Sequence, residues 1–264
     1  MKETPMTLQA LLWDVDGTLA ETERDGHRVA FNLAFQDLGL PWRWDVPHYG
    51  TLLRTMGGRE RLLHDMQQRA DAPSAPAERE ALVRELHRRK NAHYAALVAE
   101  GGIVLRQGVP ELLDEAAARG LRQAIATTSS RTNVDAMLRR ALGAAWGDRF
   151  GAVVCGEDVA RKKPDPEVYL LALRALDLPP RCTLALEDAP AGVAAARAAQ
   201  VPVVVTRSDY FADDPVEDVL ALGPGLHAAA AWQPALPRVG AGARVALDDL
   251  VHWHARGERV SHRG

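Results

Sequence analysis

Five short apolar runs punctuate the chain and read as buried strands: Leu8–Trp13, Leu121–Thr127, Ala152–Cys155, Thr183–Leu186 and Val201–Val205. Each is continuous rather than alternating, the pattern of parallel strands covered on both faces. Between the last four lie stretches with apolar residues at helical spacing: Val134–Leu142, Glu167–Leu176 and Gly192–Ala199. Strands alternating with helices predict a doubly wound α/β parallel sheet.

The segment between the first two strands is different. From Thr22 to Ala99 the pattern is charged and amphipathic, as in Arg28–Leu38 and Glu78–Val98. It is broken by Pro41, Pro47, Gly57-Gly58 and the Pro/Ala-rich patch Ala72–Pro76. This predicts an inserted α-helical layer. The predicted organisation is a core of residues 1–21 and 101–264 with a helical cap over 22–100. Thr22 and Gly101-Gly102 are the hinge candidates. The stretch Pro215–Pro237 is rich in Ala, Gly and Pro, and Arg244–Trp253 fits a strand or a helix. The tail histidines His252, His254 and His262 read as a solvated C-terminus rather than as a metal site.

Composition narrows the function classes. The 264 residues are 47% hydrophobic and 25% charged, ordinary values for a folded chain. A net charge of −3 provides no basic field for nucleic acid or an anionic membrane. The two cysteines, Cys155 and Cys182, make no disulfide framework and suit a reducing compartment. No run approaches the ~20 apolar residues of a membrane span. A soluble, cytoplasmic monomer acting on a small molecule is expected.

The chemistry gathers behind the strands. Asp14-Val15-Asp16-Gly17-Thr18 follows the first one directly. Open α/β sheets bind ligands beyond the carboxyl ends of their strands, and residues two apart on extended chain share a side. An EF-hand loop is excluded by Leu19 where Gly is required and Asp25 where Glu is required. Thr127-Thr128-Ser129-Ser130 follows the second strand, Lys162-Lys163-Pro164 comes after the third, and Glu187-Asp188 ends the fourth. Singly, these could be a helix cap, a solvated lysine pair and another cap. Together they set hydroxyls, a cation and four carboxylates on one rim. That set suits Mg²⁺, held by carboxylates, and an aspartyl nucleophile in phosphoryl transfer. No Walker A motif is present.

At these residues the sequence resembles the haloacid dehalogenase superfamily of phosphohydrolases, with DVDGT as the first motif, Thr127 the second, Lys163-Pro164 the third and Glu187-Asp188 the fourth. The position of the insert resembles the helical-cap subgroup. The resemblance implies Asp14 as nucleophile and Asp16 as general acid and base. It implies Mg²⁺ on Asp14, the Asp16 carbonyl and Asp188, with Glu187 supporting, and Thr127 and Lys163 on the phosphoryl group. Thr128 is the alternative in the second motif, and Ser129 and Arg131 would reach substrate.

The stretch from Ala20 to Arg28, with Phe31-Asn32, is similar to the CbbY group of xylulose-1,5-bisphosphate phosphatases. Tyr49, the run from Gly57 to Arg61 and KKPDPEVY extend the likeness, which implies Tyr49 as a further substrate contact. A similarity to β-phosphoglucomutase puts Arg59 and Lys90 on the phosphate that does not react. Gly57 and Gly58 would bring backbone N–H groups to it, and Glu21 and His27 would meet sugar hydroxyls. The resemblance implies hydrolysis of a sugar bisphosphate, xylulose-1,5-bisphosphate foremost. The alternatives are a phosphoglycolate or other sugar phosphate phosphatase, a phosphomutase, and a non-catalytic phosphate-binding protein.

Overall fold

Strand β1 (Ala10–Trp13) is buried at every position, and this places it in the middle of the sheet. The computed structural model describes residues 7–240 and 242–261. β1 is flanked by β2 (Arg122–Ala126) and β4 (Thr183–Glu187), with β3 (Ala152–Val154), β5 (Val203–Thr206) and β6 (Ala221–Gly223) outside them. The order is β3-β2-β1-β4-β5-β6, and each pair is parallel.

Alternate residues of β1 serve opposite faces. Leu11 and Trp13 join a cluster with α5 (Val109–Ala118), α6 (Arg131–Leu142) and α9 (Leu247–Ser261). Ala10 and Leu12 join one with α7 (Glu167–Leu176) and α8 (Pro190–Ala198). The result is the doubly wound sheet expected from the sequence. The insert forms α1 (Arg28–Asp37), α2 (Val46–Leu52), α3 (Gly58–Gln67) and α4 (Pro76–Ala99), without a strand. A third cluster, centred on Phe31, Phe35, Trp44 and Tyr49, packs these helices together. Ala189 and Phe211 of the sheet layer also join it, so the cap lies against the carboxyl rim.

The tail departs from the sequence reading. β6 falls inside the Ala/Gly/Pro-rich stretch and is only three residues long, too short to show a pattern. It persists because it pairs with β5 and because the Trp232 ring packs against Gly223. The stretch read as strand or helix is helical, and its end is not solvated. Trp253 and His254 are buried, and the Trp253 ring packs at a tilt on Trp232, with centroids 5.1 Å apart. Asp249 holds this region by accepting from the N–H groups of Val239, Gly240 and Ala246. His262 lies outside the described residues. α5, ahead of β2, carries a clear apolar stripe at Val109, Leu112, Leu113 and Ala116 that the strand-first reading passed over. Among the described residues no helix is long and apolar enough to cross a membrane.

Leu12 has no exposure and sits in the central strand. Leu12→Ala is expected to lower unfolding free energy by about 2–5 kcal/mol, measured by urea titration.

Candidate active site

Sheet register builds the site. Trp13 pairs with Leu186 on one side and Ile125 on the other. Asp14 therefore emerges beside Glu187, with the start of the Thr127 loop across from it. Asp14 stays in the ladder through its N–H, 3.1 Å from the Leu186 carbonyl. Gly17, at φ +83°, then turns the chain in left-handed backbone. A side chain there would overlap the Asp188 carboxylate.

Lys163 is buried between two acids, with Nζ 2.6 Å from Asp14 Oδ1 and 2.7 Å from Glu187 Oε1. Glu187 Oε1 also accepts from the Tyr169 hydroxyl, and the lysine lies over the Tyr169 ring. Asp188 accepts from Ser208 Oγ at 2.5 Å. Oxygens of Asp14, Glu187 and Asp188 lie within 4.8 Å of one another. Burial pushes the Asp14 and Asp188 carboxyls up, and the neighbouring carboxylates add to the rise. Burial opposes the Lys163 charge, but Asp14 and Glu187 together hold its pKa above the usual lysine range. An all-oxygen set with excess negative charge fits a hard divalent cation.

The Asp16 carboxylate has different partners. It accepts from the hydroxyls of Thr22 and Ser129 and from His27 Nε2 at 2.9 Å. Burial disfavours its charge, yet His27 and these hydroxyls hold it well below the usual carboxylate range. Behind His27, Lys90 Nζ stands 2.9 Å from Nδ1. A lysine ammonium only donates, so Nδ1 accepts and Nε2 carries the hydrogen given to Asp16. Burial brings Lys90 down to about 8.

These groups line one cavity of about 220 Å³ between rim and cap. Asp14, Asp16, Thr127, Thr128, Ser129, Lys163, Glu187 and Asp188 form its floor; His27, Gly57, Gly58, Arg59 and Lys90 come from the cap. Gly57 opens α3 in left-handed backbone, with Arg59 in the first turn. The capping alternatives do not hold. Ala189 rather than Asp188 precedes α8, Ser130 caps α6 without a side-chain bond, and Lys163 is buried.

Three expected contacts are not brought to the cavity. Tyr49 is buried in the cap, where its hydroxyl donates to Glu23 and accepts from Arg61. Glu21 faces Arg106 at 3.4 Å. Arg131 is exposed and pairs with Asp158. Ser129 does reach the cavity, but its hydroxyl is engaged by Asp16. The sequence reading gave no role to Glu23, Arg61 and Lys162, which line the cavity, or to Tyr169 and Ser208. Arg61 and Tyr169 lie within runs already singled out, whereas an isolated serine such as Ser208 gave no signal.

A fold of this order, with an aspartate-bearing loop after its central strand and a lysine between acids, is that of a phosphoryl-handling hydrolase. Residues 8–200 match the haloacid dehalogenase-like hydrolases, and the chain belongs to that family as a phosphatase. Within it, the chain is similar to the CbbY proteins. It is 46% identical to CbbY of Rhodobacter capsulatus over 233 residues, 88% of this chain and 100% of the relative. The crystal structure of CbbY from Rhodobacter sphaeroides in complex with phosphate is 41% identical, with a TM-score of 0.76. The match covers 81% of this chain and 93% of that one. A variant of that protein, in complex with xylulose-(1,5)bisphosphate, matches with the same identity, coverage and TM-score.

Gly17→Ala forces a side chain into left-handed backbone, at about 1–2 kcal/mol, and into Asp188. Thermal melts with and without MgCl₂ are expected to show a lower Tm and a smaller stabilisation by Mg²⁺ than in the unaltered protein.

Proposed function

We propose that this protein is a magnesium-dependent sugar bisphosphate phosphatase acting on xylulose-1,5-bisphosphate and releasing xylulose-5-phosphate and phosphate. One observation carries the reading: a single cavity has cations at both ends. Lys163 stands on the floor beside Asp14, and Arg59 stands with the Gly57-Gly58 loop on the cap. A substrate with one phosphate would leave the second end unmatched. The bisphosphate bound by the Rhodobacter sphaeroides relative supports the choice of sugar.

In this reading residues 22–100 act as the cap and exclude water from the first step. Thr127 and Lys163 hold the reacting phosphoryl group. An Asp14 oxygen attacks phosphorus, the bond from phosphorus to the sugar oxygen breaks, and that oxygen takes a proton from Asp16. Water then attacks the aspartyl-phosphate, its proton goes to Asp16, and Asp14 is released with free phosphate. Asp16, held as a carboxylate before the reaction, gains its first proton through His27. Nε2 gives one proton to Asp16 as Lys90 gives one to Nδ1. Asp14, the Asp16 carbonyl and Asp188 would hold Mg²⁺, with Glu187 behind them. When bound, Mg²⁺ supplies positive charge against the phosphoryl oxygens.

In this reading Lys90 serves Asp16 as well as the second phosphate, a role supported by its contact with His27. Arg59 is half exposed and only 3.5 Å from Glu80, a contact that an arriving phosphate displaces readily.

The test is phosphate release with Mg²⁺ from xylulose-1,5-bisphosphate, ribulose-1,5-bisphosphate, phosphoglycolate and glucose phosphates. The xylulose compound is expected to be preferred, and Asp14→Asn to abolish release. Preference for a monophosphate would overturn the assigned substrate. Phosphate retained on sugar would turn the reading to a mutase. Arg59→Ala is expected to lower kcat/KM for the bisphosphate roughly 10- to 100-fold, the loss of one charged hydrogen bond, while leaving monophosphates unchanged.

A further inference from the structure

The loop after β5, residues 207–214, touches both sides of the cavity. At its start, Ser208 is buried and donates to Asp188 Oδ2 at 2.5 Å. Two residues on, the Tyr210 ring meets Tyr49 edge-on at 5.8 Å and lies against Gly50 of α2. Phe211 packs into the cap cluster and lines the cavity. At the far end, both Asp214 oxygens receive the Arg54 guanidinium, which also lies over the Phe211 ring at 5.7 Å. Arg24, at the cap entrance, is 3.8 Å from Asp209.

The loop is braced internally and at its root. Arg207 donates to the carbonyls of Phe211 and Asp214, curling the segment on itself. Arg106, on the return from the cap, donates to the carbonyls of Gly17, Thr206 and Arg207. A braced segment moves as a unit, so displacement of its cap-facing side is carried to Ser208. The closed contact is also imperfect, because the Tyr210 hydroxyl is buried without a hydrogen-bond partner. A buried unsatisfied hydroxyl weighs against closure and keeps the cap free to reopen.

We propose that loop 207–214 couples cap closure to the metal site, with Ser208 as the positioning residue that fixes Asp188 when Tyr210 and Asp214 grip the cap. The proposal rests on the reading of Asp14, Glu187 and Asp188 as a magnesium site. Coupling between two equilibria is reciprocal: if closure improves Mg²⁺ affinity, Mg²⁺ favours closure by the same factor.

The test is made on the full chain without substrate. Mg²⁺ affinity is read by calorimetry, and cap position by small-angle scattering. Tyr210→Ala and Arg54→Ala alter only the cap grip, and Arg54 is exposed enough for its loss to spare folding. Both are expected to open the cap and to weaken Mg²⁺ binding about five-fold or more, the low end of allosteric coupling. Ser208→Ala is expected to weaken Mg²⁺ binding directly. Adding Tyr210→Ala to it should then weaken binding no further, because the route through Ser208 is already cut. A cap that opens with Mg²⁺ affinity unchanged overturns the coupling, as do fully additive effects of the two changes. Mg²⁺ binding with the expected coupling but no phosphatase activity would leave this proposal standing and remove the proposed substrate chemistry. No Mg²⁺ binding by the unaltered protein would remove both.

Discussion

A single buried lysine faces a crowd of carboxylates, and the rest of the site follows from that imbalance. Lys163 neutralises Asp14 and Glu187 at hydrogen-bond distance, whereas the Asp188 carboxylate accepts from the Ser208 hydroxyl. Asp14, Glu187 and Asp188 share this one lysine, and burial disfavours the charge of Asp14 and Asp188. That balance, rather than any one residue, suits the centre to a bound cation. Removing one member of a buried ion pair typically costs about 3–5 kcal/mol, so this centre is structural as well as chemical.

Sheet order explains how the residues meet. Asp14 and Glu187 are far apart in sequence, yet β1 and β4 are neighbours in parallel register. That register, Trp13 opposite Leu186, then brings both to the same edge. Lys163 arrives from the loop ahead of α7, and Tyr169 on α7 supports it from below. Asp14, Glu187, Lys163 and Tyr169 all come from the sheet layer and its loops, whereas the Asp16 side of the site draws its partners from the cap: Thr22, His27 and Lys90 all enter from the insert.

The core was readable because its signals are local and repeated. Five short, largely apolar runs stood out from their surroundings, and each contains a strand of the sheet. Asp14, Lys163 and Asp188 could be found because each follows a strand or its loop closely. The cap was readable as helical but not residue by residue. Tyr49 resembled a contact residue and is instead packed in the aromatic cluster, because Glu23 and Arg61 occupy its hydroxyl. Arg131 opens α6 on the exposed surface and pairs with Asp158. β6 escaped notice because three residues carry no periodicity, and the burial of Trp253 and His254 because the anchor of the tail, Asp249, acts on backbone groups up to ten residues away.

The hydrogen bonds that Thr22 and His27 give Asp16 bear on how such enzymes can be rebuilt. A composition-based division would cut the chain at residue 22 and treat everything beyond as an exchangeable specificity module. Thr22 and His27 lie past that cut, yet they grip the Asp16 carboxylate at the floor of the cavity. A transplanted cap would therefore have to bring a matching first turn with it, or the recipient keep its own through His27. Recognition and chemistry share a seam here, and that seam lies several residues inside the insert.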